Sequence, residues 1–472
     1  MWILLRGPHT RYSNLPVKGN NMEEKKAKVG FISLGCSKNL VDTEMMLYRL
    51  HDNGFKITPE ETEADVIVIN TCGFIESAKQ EAIDNILDVA WLKEHKSLKG
   101  IVVTGCLAER YKDEIMKEMP EVDAVLGLGS ETEIVNAVES VLDGKKYVSF
   151  GKKEDLPLSQ KRVVTTAHYS SYLKIAEGCN NNCAFCAIPK IRGRMRSAPI
   201  ELLVEEAKEL EKLGVKELNI IAQDTSRYGY DLYGEYRIVE LIQRITKETS
   251  IPWLRLLYCY PDKLTDELIE EFRTNDRLLK YIDIPIQHIS DPVLKRMFRH
   301  GGSETIRSAV SRIRKAVPQI CIRTTVMVGF PGETEEDFEK LCEFIQEQKF
   351  ERLGAFAYSR EEDTKAYDMP DQIDEQVKQD RYDIIMKTQM EIMAQHNESM
   401  VGKTIKVLCE GFDKASGAYF GRGEYDAPDI DTKVFFLNKP NMKKPVPGDF
   451  VDVIINDTID YDLLGEVVKL ED

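Results

Sequence analysis

The chain has 472 residues, 42% of them hydrophobic, enough for two or three globular domains. Its 80 acidic residues outnumber 64 basic ones, and the net charge of -16 argues against a general nucleic-acid binder and favours a basic polypeptide as partner. Ten cysteines fall in groups and no signal-peptide pattern accompanies them, so they read as thiols kept reduced in a cytoplasm rather than as a disulfide framework.

In chain order, residues 1–25 are expected to be a disordered extension. The apolar start MWILL is interrupted by Arg6, too soon for a signal peptide or a membrane span, and Met22 is the expected natural start. No other stretch approaches transmembrane length.

Residues 26–145 repeat apolar run, turn and amphipathic helix. The runs Val29–Leu34, Val66–Asn70 and Ile101–Thr104 end in Gly35-Cys36, Thr71-Cys72 and Gly105-Cys106, and they alternate with expected helices Glu76–Leu92 and Ala108–Met119. That alternation predicts a parallel α/β sheet, in which ligands bind beyond the carboxyl ends of the strands. Three cysteines at one topological position, each beside a turn residue, therefore form a candidate three-thiolate cluster site. Gly35 and Gly105 are read as letting the backbone approach a bulky cofactor.

Residues 146–164 read as a linker, and 165–397 as six strand-helix units. Strands are expected at Tyr172–Ala176, Leu218–Ala222, Leu254–Leu257, Ile282–Ile286, Ile322–Val328 and Arg352–Ala357. Helices are expected at Pro199–Leu213, with Ser197 as N-cap, and at Thr334–Gln348. Six units are too few for an eight-fold barrel, so a partial, open (βα)6 barrel is predicted.

The first of these units runs into Cys179, Cys183 and Cys186, a C-x3-C-x2-C spacing on an Asn-rich loop after Gly178. A structural zinc ion is closed by four ligands, and no fourth follows at zinc-finger spacing. An iron-sulfur cube held by three thiolates keeps one iron open, which makes it the better fit.

Candidates for the pocket lie at other strand ends. Gln223 and Asp224 either bind a ligand or cap the next helix. Strand alternation places Asp283 and Gln287 on one face and His288 on the other, as a catalytic or a structural histidine. Gly329 and Gly332 belong to VGFPGE, which is Gly-rich but lacks the lysine of a phosphate loop. Cys321, Cys342 and Cys409 read as packing residues, and Cys259 ends a barrel strand where it lines the pocket or packs.

Residues 398–472 change to short strands, Thr404–Leu408, Ala418–Arg422, Lys433–Leu437, Asp449–Asn456 and Leu463–Val468, predicting a small five-stranded OB-like barrel. Nine basic against 14 acidic residues over 402–472 disfavour RNA and suit a basic protein surface.

The C-x3-C-x2-C loop is also the spacing of the radical S-adenosylmethionine (SAM) enzymes. With the second triplet and terminal barrel, the chain from residue 27 onward resembles the radical SAM methylthiotransferases. The motifs SLGCSKNLVDTE, NTCGFIESA, QDTSRYG, YIDIPIQH and GEYDAPDID look like the branch that modifies a ribosomal protein. The resemblance implies an amino-terminal domain with an auxiliary 4Fe-4S cluster on Cys36, Cys72 and Cys106, a radical SAM core with a second cluster on Cys179, Cys183 and Cys186, and a TRAM domain. It also implies contacts of Phe185 and of the VGFPGE stretch with adenine.

By the same resemblance, one SAM donates a methyl group to sulfur held on the open iron of the auxiliary cluster. A second is cleaved to a deoxyadenosyl radical by an external electron donor. The radical takes a hydrogen from the β-carbon of an aspartate in the small-subunit ribosomal protein S-twelve, which then accepts the methylthio group. The two clusters must then face one cavity. Two alternatives stay open: the same chemistry on a tRNA adenosine, and a redox iron-sulfur protein with an interaction barrel.

Overall fold

Short β-rich runs joined by helices pair in parallel, because each crossover returns the chain to the same edge. The computed structural model of the protein describes residues 27–470, and within them this pattern occurs twice. The expected extension 1–25 lies outside the described residues.

The first sheet is built from β1 (Lys28–Ser33), β2 (Lys56–Thr58), β3 (Val66–Thr71), β4 (Gly100–Gly105), β5 (Ala124–Leu126) and β6 (Tyr147–Ser149), in the order β2-β1-β3-β4-β5-β6. All its pairs are parallel. β3 and β4 are buried along their whole length, which is why they read as continuous apolar runs. Helices α1 (Ser37–Asp52) and α5 (Ile134–Leu142) cover one face, and α2 (Glu76–His95), α3 (Cys106–Tyr111) and α4 (Asp113–Glu118) the other.

Two expectations change here. The single helix over Ala108–Met119 is two helices, broken at Lys112, whose φ of 45° leaves the helical region. The expected linker 146–164 opens with β6, an edge strand of the first sheet, and its Val163 is buried in the core beneath α1 and α5.

The second sheet holds β7 (Ser170–Lys174), β10 (Glu217–Ile221), β11 (Trp253–Leu256), β12 (Leu278–Asp283), β13 (Cys321–Val328) and β14 (Arg352–Ala357). They are parallel and in sequential order with β7 and β14 unpaired to each other, so the barrel is open. Between β7 and β10 the chain makes the short antiparallel pair β8 (Ala176–Glu177) and β9 (Arg196–Ser197), with the cysteine loop and α6 (Ile188–Arg192) between them, and then α7 (Ile200–Lys212).

Strand alternation sorts the barrel residues cleanly. Leu173, Leu218, Ile220, Leu254, Leu256 and Ile282 join the apolar core under the helices. The opposite positions, Lys174, Glu217, Asn219, Arg255 and Asp283, are polar and buried. Charges there require partners, and the flanking domains supply them. Lys174, at the carboxyl end of β7, pairs with Asp42 of α1. Glu217, at the amino end of β10, accepts from Arg422 of the third domain at 2.5 Å. Around these pairs, Leu40 and Met45 of α1 and Leu408 and Phe450 of the third domain pack on Tyr172, Trp253 and Tyr281.

The third domain is a closed barrel of β15 (Thr404–Asp413), β16 (Ala418–Gly423), β17 (Val434–Leu437), β18 (Phe450–Ile459) and β19 (Asp462–Leu470), in the order β15-β16-β17-β19-β18. Arg352–Asp426 at 2.6 Å and the Tyr281 hydroxyl on Asp431 at 2.7 Å add to its docking. Among the described residues no helix is long and apolar enough to cross a membrane.

The fourth barrel strand also differs from expectation. It covers Leu278–Asp283 rather than Ile282–Ile286, because Pro285 has no N–H to give a ladder and Gln287 turns to φ 70°. The alternation that placed Asp283 with Gln287 opposite His288 therefore ends at Asp283. Ser197 does not cap α7; it lies in β9 and its hydroxyl donates to Asp231 at 2.6 Å.

Candidate active site

Cys36, Cys72 and Cys106 follow β1, β3 and β4, three neighbouring strands, so their turns stand side by side at one sheet edge. Gly35 (φ 89°) lies so close to the next turn that a Cβ there would sit 2.8 Å from the Cβ and 3.1 Å from the Sγ of Cys72. At Gly105 (φ 94°) a Cβ would come within 2.2 Å of Asn70 Oδ1. The glycines thus let one thiol turn pack on the next. The three thiols lie within electrostatic reach of one another. Burial pushes Cys72 up to about 11 and Cys106 up to about 12, while Lys38 and Arg192 draw Cys36 below its ordinary value against the cost of desolvation.

The second triplet lies on the loop that β8 and β9 clamp shut. Asn181 donates to Cys179 Sγ from both its backbone N and its Nδ2, each at 3.4 Å. Its Nδ2 also donates to Asp224 at 2.7 Å. Asp224 further accepts from Ser226 at 2.6 Å and Arg227 at 2.9 Å, so it anchors the cysteine loop to the end of β10 and does not cap the next helix, where Gly229 holds that place. Arg299 Nη1 lies 3.8 Å and the Tyr260 hydroxyl 3.7 Å from Cys183 Sγ.

The two triplets meet through α6. Ala187 and Ile191 pack against Cys106. Arg192, buried, donates to Asp42 at 3.0 Å, Glu177 at 2.9 Å and Asn39 at 3.1 Å, and its charge acts on Cys106 and Cys36. Glu177 also accepts from Lys174 and Gln223, each at 2.9 Å. Lys38 lies 3.5 Å from the ring centre of Tyr258, just past β11. On the far side Glu361 accepts from the first N–H of α2 at 2.7 Å and pairs with Arg110 at 3.2 Å.

Of the other candidates, Gln223 joins this junction and its Oε1 is buried with no hydrogen-bond partner. Phe185 stands edge-to-face with Phe330 of VGFPGE, ring centres 6.4 Å apart, which brings that stretch to the cysteine loop. Gly329 lies against the Lys378 side chain and Gly332 against Arg296. Gln287 bridges to β13 through its backbone. Asp283 is buried 3.3 Å from Arg323. His288 is enclosed, accepts from Ser290 N at 2.9 Å, and burial lowers it to about 4, so it is neutral. Cys259 is buried 3.5 Å from the Thr225 hydroxyl, and Cys321, Cys342 and Cys409 lie in β13, the helix Glu335–Gln348 and β15.

Sequence pattern alone does not mark Lys38, Asp42, Lys174, Glu177, Asn181, Arg192, Tyr260 and Arg299 as site residues. The available signal was a lysine and a glutamate, Lys174 and Glu177, in an otherwise apolar strand region, since buried charges demand partners.

None of the six thiols is joined in a disulfide. Among the described residues no three His, Cys, Asp or Glu side chains close around a single metal ion. The donor chemistry suits an iron-sulfur cube, with soft sulfur ligands and N–H or O–H groups of Asn181, Arg299, Tyr260 and Arg192 directed at them.

Residues 28–127 match a family described as uncharacterized protein family UPF0004, residues 173–345 the radical SAM superfamily, and residues 401–468 the TRAM domain. The fold is shared with the radical SAM methyltransferase TsrM from Kitasatospora setae, solved with cobalamin and a [4Fe-4S] cluster bound. That match has a TM-score of 0.53 and 12% identity, covering 71% of this chain and 72% of that one. The protein is a radical SAM methylthiotransferase, and SAM and [4Fe-4S] clusters are the cofactors its class implies. Relatives named ribosomal protein uS12 methylthiotransferase RimO are 49% identical in Thermoanaerobacter sp. (strain X514) and 50% in Caldanaerobacter subterraneus subsp. tengcongensis, each over 93% of this chain and 99% of the relative. The chain belongs to the RimO family.

Proposed function

We propose that this chain transfers a methylthio group to the β-carbon of an aspartate in ribosomal protein uS12. In this reading Cys36, Cys72 and Cys106 hold one 4Fe-4S cluster, and Cys179, Cys183 and Cys186 the other. The observation that carries it is the junction at α6, where the helix leaving Cys186 packs on Cys106 and its Arg192 faces Cys36 and Cys106.

When bound, the clusters and SAM supply one-electron cleavage of a sulfonium and an iron able to hold sulfur. The chain's own part is positioning. Asn181, held by Asp224, and Arg299 and Tyr260 fix the cysteine loop and place donors against its sulfurs. Arg192 and Lys38 offset the negative charge of the first triplet. Phe185 and Phe330 set an apolar, edge-to-face ring pair beside the loop. The free Oε1 of Gln223 is an acceptor offered to an amino or hydroxyl group of a bound ligand. An external donor supplies the electron, and the acidic surface suits a basic ribosomal protein.

The test is anaerobic reconstitution of wild type, Cys72→Ala and Cys183→Ala with iron and sulfide, read by metal analysis and electron paramagnetic resonance. Each variant is expected to retain about half the wild-type iron, with a different residual signal. Full iron in either variant would contradict the assignment of that triplet.

A further inference from the structure

On the outer face of the first sheet, α2 and the α3–α4 pair diverge around a groove of about 540 Å³. Its floor is apolar, from Ile83, Leu87, Leu107, Ile115 and Met119. The apolar strip runs on past the groove: Leu87 is 50% and Trp91 53% exposed, one helical turn apart on α2. Exposed apolar surface of this kind marks a contact site.

The rim is acidic. Glu114, Glu118 and Glu121 line it with no ion pair among the described residues. Glu362 adds to it. The single lining lysine, Lys79, is neutralised by Glu76 at 2.5 Å and Glu361 at 3.2 Å. A polyanion is repelled from such a rim, and a lysine- and arginine-rich peptide is drawn to it. The groove also connects with the thiol junction. Leu107 follows Cys106, and Glu362 follows Glu361, which ties α2 to the barrel.

We infer that this groove docks a basic segment of the ribosomal protein flanking the modified residue, its apolar side chains on the floor and its cations against the glutamates. The inference rests on the function proposed above and supplies the surface by which that substrate is selected.

The test compares reconstituted wild-type enzyme with the triple variant Glu114→Lys/Glu118→Lys/Glu121→Lys and with Leu87→Ser. Binding of intact uS12 is read by fluorescence anisotropy, alongside reductive SAM cleavage and modification of a short peptide carrying only the aspartate loop. Both variants are expected to bind intact uS12 about tenfold more weakly or worse, with SAM cleavage and short-peptide modification unchanged, and raising salt is expected to weaken wild type more than the triple variant. Unchanged binding in both variants overturns the docking surface, as does a wild-type dimer that the triple variant dissociates while its uS12 binding holds, which would assign the groove to a second copy of the chain. Groove-dependent binding of uS12 that wild type never modifies would instead overturn the proposed function and leave the docking surface standing.

Discussion

Glu217 and Glu333 are both buried glutamates paired with arginine, and they shift in opposite directions. Burial favours the neutral form of each. Two guanidinium groups, Arg422 and Arg255, outweigh it at Glu217 and hold the carboxyl down at about 2. One, Arg381 at 2.9 Å, does not at Glu333, and burial raises that carboxyl to about 7. The stability from Glu217 is therefore complete above its ordinary 4.5 and lost as pH falls through about 2, a change of about 3 kcal/mol. Glu333 acts in reverse: its contribution is complete below 4.5 and lost as pH rises through about 7. Urea unfolding across pH is expected to show a Glu217→Gln variant less stable near neutrality but flatter in acid. Glu333→Gln is expected to remove the decline between about pH 5 and about pH 8, and an unaltered decline would refute the Glu333 assignment. At this scale the grouping of six cysteines into two sets was legible, because three follow neighbouring strands and three share one loop. Arg192 was not: its partners Asp42 and Asn39 lie 150 and 153 residues away, and only the folded chain brings them together.

Elements were legible where their ends carry local chemistry. The helix Glu335–Gln348 starts as expected, because Thr334 accepts from Asp337 N at 3.2 Å while Asp337 accepts from Thr334 N at 3.0 Å, a reciprocal cap written in the sequence TEED. Thr334→Ala is expected to cost about 1 kcal/mol in urea denaturation, and no loss would show that the cap adds nothing. Breaks imposed by distant contacts were not legible. No Gly or Pro marks the stop between α3 and α4; Tyr111 turns to the 361–362 segment, 3.3 Å from Glu362, and Lys112 takes φ 45°, ψ −120°. A side chain in that conformation is strained, so Lys112→Gly is expected to raise the melting temperature, by up to about 1 kcal/mol of stability. A lower melting temperature would mean the lysine's contacts matter more than its backbone. Ile282–Ile286 misled in another way: residues past the strand's end are apolar because they are buried in a turn, and apolarity alone cannot separate strand from buried turn.

In the whole molecule, the barrel's interior is polar because two other domains complete it. Asp42 of the first domain meets Lys174 at the carboxyl ends of the strands, and Arg422 of the third meets Glu217 at their amino ends. Removal of residues 398–472 would leave Glu217, Arg255 and Arg352 short of partners and expose Trp253. The truncated chain is therefore expected to melt lower than the intact one, and an equal melting temperature would refute a structural role for the third domain. Three domains were visible in the change of sequence pattern, but that two of them plug the ends of one open barrel was not, since a charge at an inward strand position does not name its partner.

The most direct measurement is mass spectrometry of uS12 after anaerobic incubation with the reconstituted enzyme, SAM, sulfide and a reductant. A methylthio mass increment on one aspartate, absent with Cys72→Ala and with Cys183→Ala, is the predicted result. SAM cleavage that leaves uS12 unmodified while a tRNA adenosine gains the group, or no SAM cleavage at all, would contradict it.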